Sequence, residues 1–457
     1  MLNRRLLLSS IAAMGFSAAV TPVSEAAAMK PAQDGLRGTI DISGYGVAPG
    51  RTGDQSDAIN RLFREAAQMG MPVFLPAGDY YVSAITLPDM LWVSGVPGRT
   101  RLVFAGGSHF LTGEGLSKLT LSDLVLDGGG KTLGKDSGGL LHLRGVTDLT
   151  IDNCTITGAS GHGIHAERCG GRITGNSISQ AAFAGLYAVE SDGLAITANT
   201  VSDCGNGGIL VHRWEAGEDN TMISGNRVFN IAANDGGTGE NGNGINIFRA
   251  WNVMVADNHI SDCAFSAIRA NAATNVQISG NQCLRSGETA IYSEFGFQGA
   301  IVSGNLVDGA ANGILIVNFD EGGRLATVTG NIVRNLKLAG PYVHDGAGFG
   351  FGIAAEADTV ISANIIENAP KWGLMLGWGP YMRGIVATGN LVRDAGGGCA
   401  VTVVEGAGTA LIANNMFQDV RAGAILGYRW NDKATGDLLA SGSEAFPHLT
   451  LSGNRIT

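Results

Sequence analysis

ISGNRV at residues 223–228 and VSGNLV at 302–307 are copies of one phrase, and its recurrence decides the fold. The phrase reads apolar, two residues, Asn, one residue, apolar. It returns as ITGNSI (173–178), ITANTV (196–201), VADNHI (255–260), ISGNQC (278–283), VTGNIV (328–333), ISANII (361–366), ATGNLV (387–392), IANNMF (412–417) and LSGNRI (451–456). Its asparagines are Asn176, Asn199, Asn226, Asn258, Asn281, Asn305, Asn331, Asn364, Asn390, Asn415 and Asn454, spaced 23, 27, 32, 23, 24, 26, 33, 26, 25 and 39 residues apart. Cys154 and Leu124 hold the same slot in two earlier copies.

A second phrase follows each Asn by about ten residues: a small residue, usually Gly, then an apolar one, as in GIHAE (163–167), GLYAV (185–189), GINIF (244–248) and AIYSE (290–294). Both phrases alternate with period two, the signature of strands. A unit of about 23 residues is too short to hold a crossover helix, so turns link the strands and each strand pairs with its counterpart one coil away. Parallel connections take the right hand. The expectation is an all-β chain: a single-stranded, right-handed parallel β-helix of about 12–13 coils. One Asn per coil predicts an amide ladder along a turn.

Composition agrees. Glycine is abundant at 70 of 457 residues, proline scarce at 11, and only 15% of residues are charged. Many tight turns between short strands fit that balance, and disorder does not. The net charge of −10 excludes general nucleic-acid binding. Cys204 and Cys263 share a slot two coils apart, roughly 10 Å, beyond disulfide reach. Cys154 and Cys283 occupy other slots. The six cysteines therefore read as free thiols, with no disulfide framework and no zinc spacing.

The chain starts MLNRRLLLSSIAAMGFSAAVTPVSEAAAMK, with Arg4 and Arg5 before an apolar run from Leu6 to Val20 and a small-residue cut site at Ala26-Ala27-Ala28. This predicts a signal peptide over residues 1–28, too short for a membrane span, leaving residues 29–457 as the β-helix domain with no membrane span. The arginine pair followed by Leu6-Leu7-Leu8 is similar to a twin-arginine signal, which would be read by that export machinery and deliver a folded protein to the periplasm or medium. Cleavage before Met29 makes the mature charge −11.

Solenoids need caps. DQSDAINRLFREAAQM (54–69) reads as an N-terminal capping helix over 54–70, with Asp54 and Ser56 at its start, Ala58, Ile59, Leu62, Phe63 and Ala66 as its apolar stripe, and Gly70 ending it. The first strands follow at 73–87 and 91–96. Residues 430–448 form an insertion able to fold back as a C-terminal cap.

The segment Gly44-Tyr45-Gly46-Val47, Gly53-Asp54-Gln55-Ser56-Asp57-Ala58-Ile59 and Val73 to Tyr81 is similar to the entry segment of pectate-lyase-superfamily β-helices. With the repeats, the resemblance covers residues 38–457. The leader followed by repeats also resembles a family of twin-arginine-exported repeat proteins whose function is not established. The superfamily resemblance implies polysaccharide chemistry. Gly161-His162-Gly163 is similar to an element of polygalacturonases, but their paired-aspartate and Arg-Ile-Lys motifs are missing. Tyr342-Val343-His344-Asp345 is only loosely similar to the Asp-Pro-His signature of mannuronan epimerases.

In the second phrase, outward positions form two columns. One reads His142, His165, Tyr187, Leu210, Asn246, Arg269, Tyr292, Leu315; the other Arg144, Glu167, Val189, His212, Phe248, Asn271, Glu294, Val317. Aromatic faces take the apolar side of a sugar ring and polar groups fix its hydroxyls. Two long insertions, 230–244 and 336–350, enter this column about 19 Å apart and are expected to wall a floor of Arg269, Asn271, Tyr292 and Glu294. Two catalytic patches follow: His165, Tyr187, His212 and Arg213 with His142 and the Arg144–Glu167 pair, and Arg269, Tyr292 and Glu294 flanked by Asn246, Phe248, Arg249, Trp251 and Asn271. Abstracting the C5 proton of a uronic acid needs a His or Tyr base and an Arg to neutralise the carboxylate. That chemistry is shared by lyases and C5-epimerases acting on an acidic glycan. Hydrolysis needs two facing carboxylates, which the face lacks unless loop residues such as Glu215, Glu240 or Asp320 supply one. The alternative to an enzyme is a glycan-binding or envelope-scaffold rod. No cofactor is identified: no Cys, His or Met cluster has ligand spacing, and the clustered acids of a calcium site are not found.

Overall fold

The computed structural model describes residues 38–344 and 346–457. The predicted leader over 1–28 lies outside them, as does Asp345. Three short strands per coil wind into a solenoid of about 14 turns, slightly more than the repeats suggest. The surplus lies in the first coils, where Gly78–Val82, Thr100–Phe104 and Val125–Asp127 pair in parallel with no asparagine to mark them.

A representative coil runs Thr289–Glu294, Gln298–Ser303, Leu306–Asp308. Each strand pairs in parallel with its equivalents one coil before and after. The first two strands of every coil belong to one 28-stranded sheet, because long strands such as Gly139–Asp152 run through the corner between them. The third strand belongs to a separate 15-stranded sheet. Inward positions such as Ile291, Val302 and Val307 are fully buried in one continuous core.

Glycines of the second phrase are required by close approach. A Cβ at Gly313 would lie 2.1 Å from the Gly352 carbonyl oxygen, and one at Gly208 2.3 Å from that of Gly244. Each asparagine accepts from the preceding one. Asn258 donates from N and Nδ2 to Asn281 Oδ1 at 3.0 and 2.9 Å, and Asn281 does the same to Asn305. The ladder runs unbroken from Asn176 to Asn454. All six cysteines are buried and free.

The helix Ser56–Met69 buries Ile59, Leu62, Phe63 and Ala66 in the same core, while Ala58 is only half-buried. Its formal cap is Gln55, whose side chain makes no capping bond; Asp54 Oδ1 accepts from Ser56 N at 2.8 Å instead. At the other end, Asp432–Asp437 turns back antiparallel on Ile425–Arg429, and the Asp437 carboxylate accepts from the backbone N–H groups of Ala424, Ile425 and Leu439. Leu438 is buried beside them.

Candidate functional site

The register aligns the outward residues into columns. His142, His165, Tyr187, Leu210, Asn246, Arg269, Tyr292 and Leu315 are successive partners, and so are Arg144, Glu167, Val189, His212, Phe248, Asn271 and Glu294. Stacking at the strand spacing brings rings into contact. His142 lies 4.5 Å from His165, His165 5.0 Å from Tyr187, Tyr187 5.3 Å from His212, and His212 5.6 Å from Phe248, centroid to centroid. Five coils thus carry one continuous ladder of rings.

His162 joins it, stacked 4.8 Å from Tyr187. It is a residue that the two-column reading missed. It begins its strand opposite Gly139, separated from His165 by Gly163 and Ile164, which are both buried. Burial lowers these imidazoles, His162 to about 3 and His165 and His212 to about 4, so they are neutral at pH 7. The same burial raises the Tyr187 phenol.

Past Phe248 the face sinks into a cavity of about 370 Å³ lined by His212, Thr238, Gly239, Glu240, Asn246, Phe248, Arg269, Asn271 and Phe295. The insertion 230–244 forms one wall: Asn243 Nδ2 donates to Gly239 O at 2.8 Å and holds that backbone over the Arg269 guanidinium. His212 Nε2 and Asn246 Oδ1, both buried, have no partner.

Beneath the cavity, Arg269 is clamped. Its Nε and a terminal nitrogen donate to Glu294 at 2.6 and 3.0 Å, and its other terminal nitrogen reaches Glu288 Oε2 at 3.4 Å. Asn271 Nδ2 donates to Glu294, and Ser266 Oγ and the Tyr342 hydroxyl donate to Glu288. Tyr342 belongs to the second insertion and packs 6.2 Å from Phe265, so 336–350 also reaches this cluster. Burial raises both glutamates, against the opposing pull of Arg269.

Two sequence expectations change here. Arg269 cannot act as a free cation for a substrate carboxylate, because two glutamates hold it. Glu294, named from the sequence, and Glu288, which the alternating pattern does not reach, are both tied up on Arg269. Glu288 was missed because it lies in the turn before the strand, outside the alternating positions; its signal was a charged residue two places before the strand's small residue.

Other named residues are placed apart. Tyr292 packs under Arg269, 5.1 Å from its guanidinium, and burial pushes its phenol far up, so it is no base. Arg213, next to His212 in the chain, is held by Glu190 at 2.7 Å and by Glu218 O at 2.6 Å. Arg249 lies over Phe248 and donates to Trp214 O, but neither Arg249 nor Trp251 lines the cavity. Arg144 is shared by Glu114 and Glu167. Glu215 and Asp320 are also outside the cavity lining, whereas Glu240 is in it and is held ionised by backbone donors from its own loop. Among the described residues, no group of three or more His, Cys, Asp or Glu could hold a metal ion, and no helix is long and apolar enough to cross a membrane.

Residues 138–333 match the family model described as the right-handed beta helix region. No curated protein sequence matches the chain. Among solved structures, it is similar to the N-terminal fragment of gene product 12 of bacteriophage phi29, with 16% identity, a TM-score of 0.55, and coverage of 86% of this chain and 69% of that one. It is also similar to the Dettilon tailspike protein, with 16% identity, a TM-score of 0.51, and coverage of 78% and 67%. The A-module of an Azotobacter vinelandii mannuronan C-5 epimerase aligns at 15% identity and a TM-score of 0.43, over 91% of this chain and 98% of that one. At such identities the likeness is one of fold.

Proposed function

We propose that the protein binds a polysaccharide along this face, with successive sugars on the ring ladder and one in the cavity. The ladder from His142 to Phe248 carries the reading. It lines the face with rings packed one on the next at one-coil spacing, and the amides of Asn246 and Asn271 and the carboxylate of Glu240 stand at its end to take hydroxyls. The charge balance favours a neutral glycan in the cavity, in place of the acidic one expected from sequence. Arg269 is already matched by two glutamates, and Glu240 adds a negative charge. The resemblance of residues 1–28 to a twin-arginine signal supports binding outside the cytoplasm, in the periplasm or medium.

A second reading, proton abstraction in a lyase or epimerase, draws on His212: a neutral imidazole in the cavity with Nε2 unpartnered. It ranks second because its cation is occupied.

The test is equilibrium binding to a panel of neutral and acidic polysaccharides, with product masses read afterwards. Binding of a neutral glycan without fragments, weakened roughly 3- to 10-fold by Tyr187→Ala or Phe248→Ala, supports the first reading. Unsaturated fragments lost in His212→Ala would move the assignment to the second. No binding to any member refutes both.

A further inference from the structure

The 15-stranded sheet shows a different surface. Its outward column begins polar, with Ser177, Thr200, Arg227, His259 and Gln282, then turns apolar for five coils: Leu306, Ile332, Ile365, Leu391 and Met416. Ile332, Ile365 and Met416 are 39%, 41% and 43% exposed, and Leu306 and Leu391 are half-buried between them. The core is already filled by their inward neighbours, such as Val333 and Ile366, so folding does not account for this strip. A contiguous exposed apolar patch on a soluble protein marks an interface.

The column beside it says what the partner is. Asp308, Arg334, Glu367 and Arg393 are successive partners and alternate in sign; within the chain Arg334 meets Asp308 at 2.9 Å and Arg393 meets Glu367 at 3.3 Å, and all four side chains keep an exposed side for a second partner. An alternating ladder of four reads as its own complement when reversed. A two-fold axis perpendicular to the solenoid, passing between the coils of Ile332 and Ile365, sets Asp308 against Arg393 of a second copy and Arg334 against its Glu367. The same axis sets Leu306 on Leu391 and Ile332 on Ile365. One operation matches all four charges and four of the five apolar positions, with Met416 opposite Gln282 at the edge, as an isologous contact allows.

From these columns we infer that two copies of this chain associate antiparallel through the 15-stranded sheet. The matched strip is about 19 Å long, four coils at ~4.8 Å. The interface falls in the small class, below ~1,200 Å² in total, and the dimer is reversible, dissociating in the micromolar to sub-millimolar range. The ring ladder lies on the other sheet and stays open in each copy.

Charge reversal tests this without disturbing the core. Arg334→Glu alone places two like-charged pairs across the axis, and so does Glu367→Arg alone. Mixing the two variants restores every opposite pair in a heterodimer. Sedimentation equilibrium of the full mature chain is expected to show a wild-type dimer, at least ~10-fold weaker self-association for each variant alone, and recovery in the equimolar mixture. Near-ultraviolet and far-ultraviolet spectra check that each variant is folded. A wild-type chain that stays monomeric at about 0.5 mM, variants that dimerise normally, or a mixture no tighter than its components would each overturn the inference.

Discussion

Replacing Asn281 by alanine is expected to cost far more than the same change at Asn454, although both residues hold the same slot. In the middle of the ladder, Asn281 Oδ1 accepts from Asn258 N and Nδ2, while its Nδ2 donates to Val255 O and Asn305 Oδ1, each near 3.0 Å. Asn281 is fully buried, so no water replaces it. Truncation leaves the Asn258 N–H without an acceptor, which costs about 1–3 kcal/mol, and removes three further bonds of about 0.5–1.5 kcal/mol each. The total is about 3–7 kcal/mol. Asn454 ends the stack, is half-buried, and receives from Asn415 alone, so solvent can take its place and the cost is about 1 kcal/mol. Urea unfolding followed by circular dichroism gives the two costs. Amide hydrogen exchange gives the local signature: the Asn258 amide loses protection in Asn281→Ala and keeps it in Asn454→Ala. Equal costs, or an Asn281→Ala variant within 0.5 kcal/mol of the parent, would refute the ladder as a source of stability.

Other perturbations follow from the same contacts. Asp219 is fully buried, and burial raises it from 3.8 to about 6 against the opposing pull of Thr221 and Arg213. Its penalty is absent below pH ~4 and grows as pH rises through 6, so Asp219→Asn should stabilise the fold by up to about 3 kcal/mol at pH 8 and little at pH 4, read from melting curves across pH. Arg269→Gln strands two buried glutamates and should cost about 3–5 kcal/mol at pH 7. That loss should shrink as the solution is acidified, because both carboxyls are raised and protonate before an ordinary glutamate does; a pH-independent cost would contradict the arrangement. Gly313→Ala drives a methyl into the Gly352 carbonyl and should lower stability by about 1–3 kcal/mol, measured by urea midpoint.

The recurring asparagine and the glycine-apolar phrase were enough to specify the coil, its period, the parallel pairing and which residues share a column. These are properties of a periodic chain, set locally by turn chemistry and alternation. The register of His165 on Tyr187, or of Arg269 on Tyr292, follows from them by counting. What counting could not give was the state of each group. His162 was left out because the strand carries two consecutive inward residues, which shifts the outward positions before them. Glu288 was left out because a turn residue has no fixed direction in an alternating pattern. Whether Arg269 was free depended on where Glu288 and Tyr342 arrive, 19 and 73 residues along the chain. The sequence alone determined the solenoid and the face it presents. Only the tertiary structure decided which charges on that face cancel, because cancellation depends on distances between coils and insertions that no local pattern encodes.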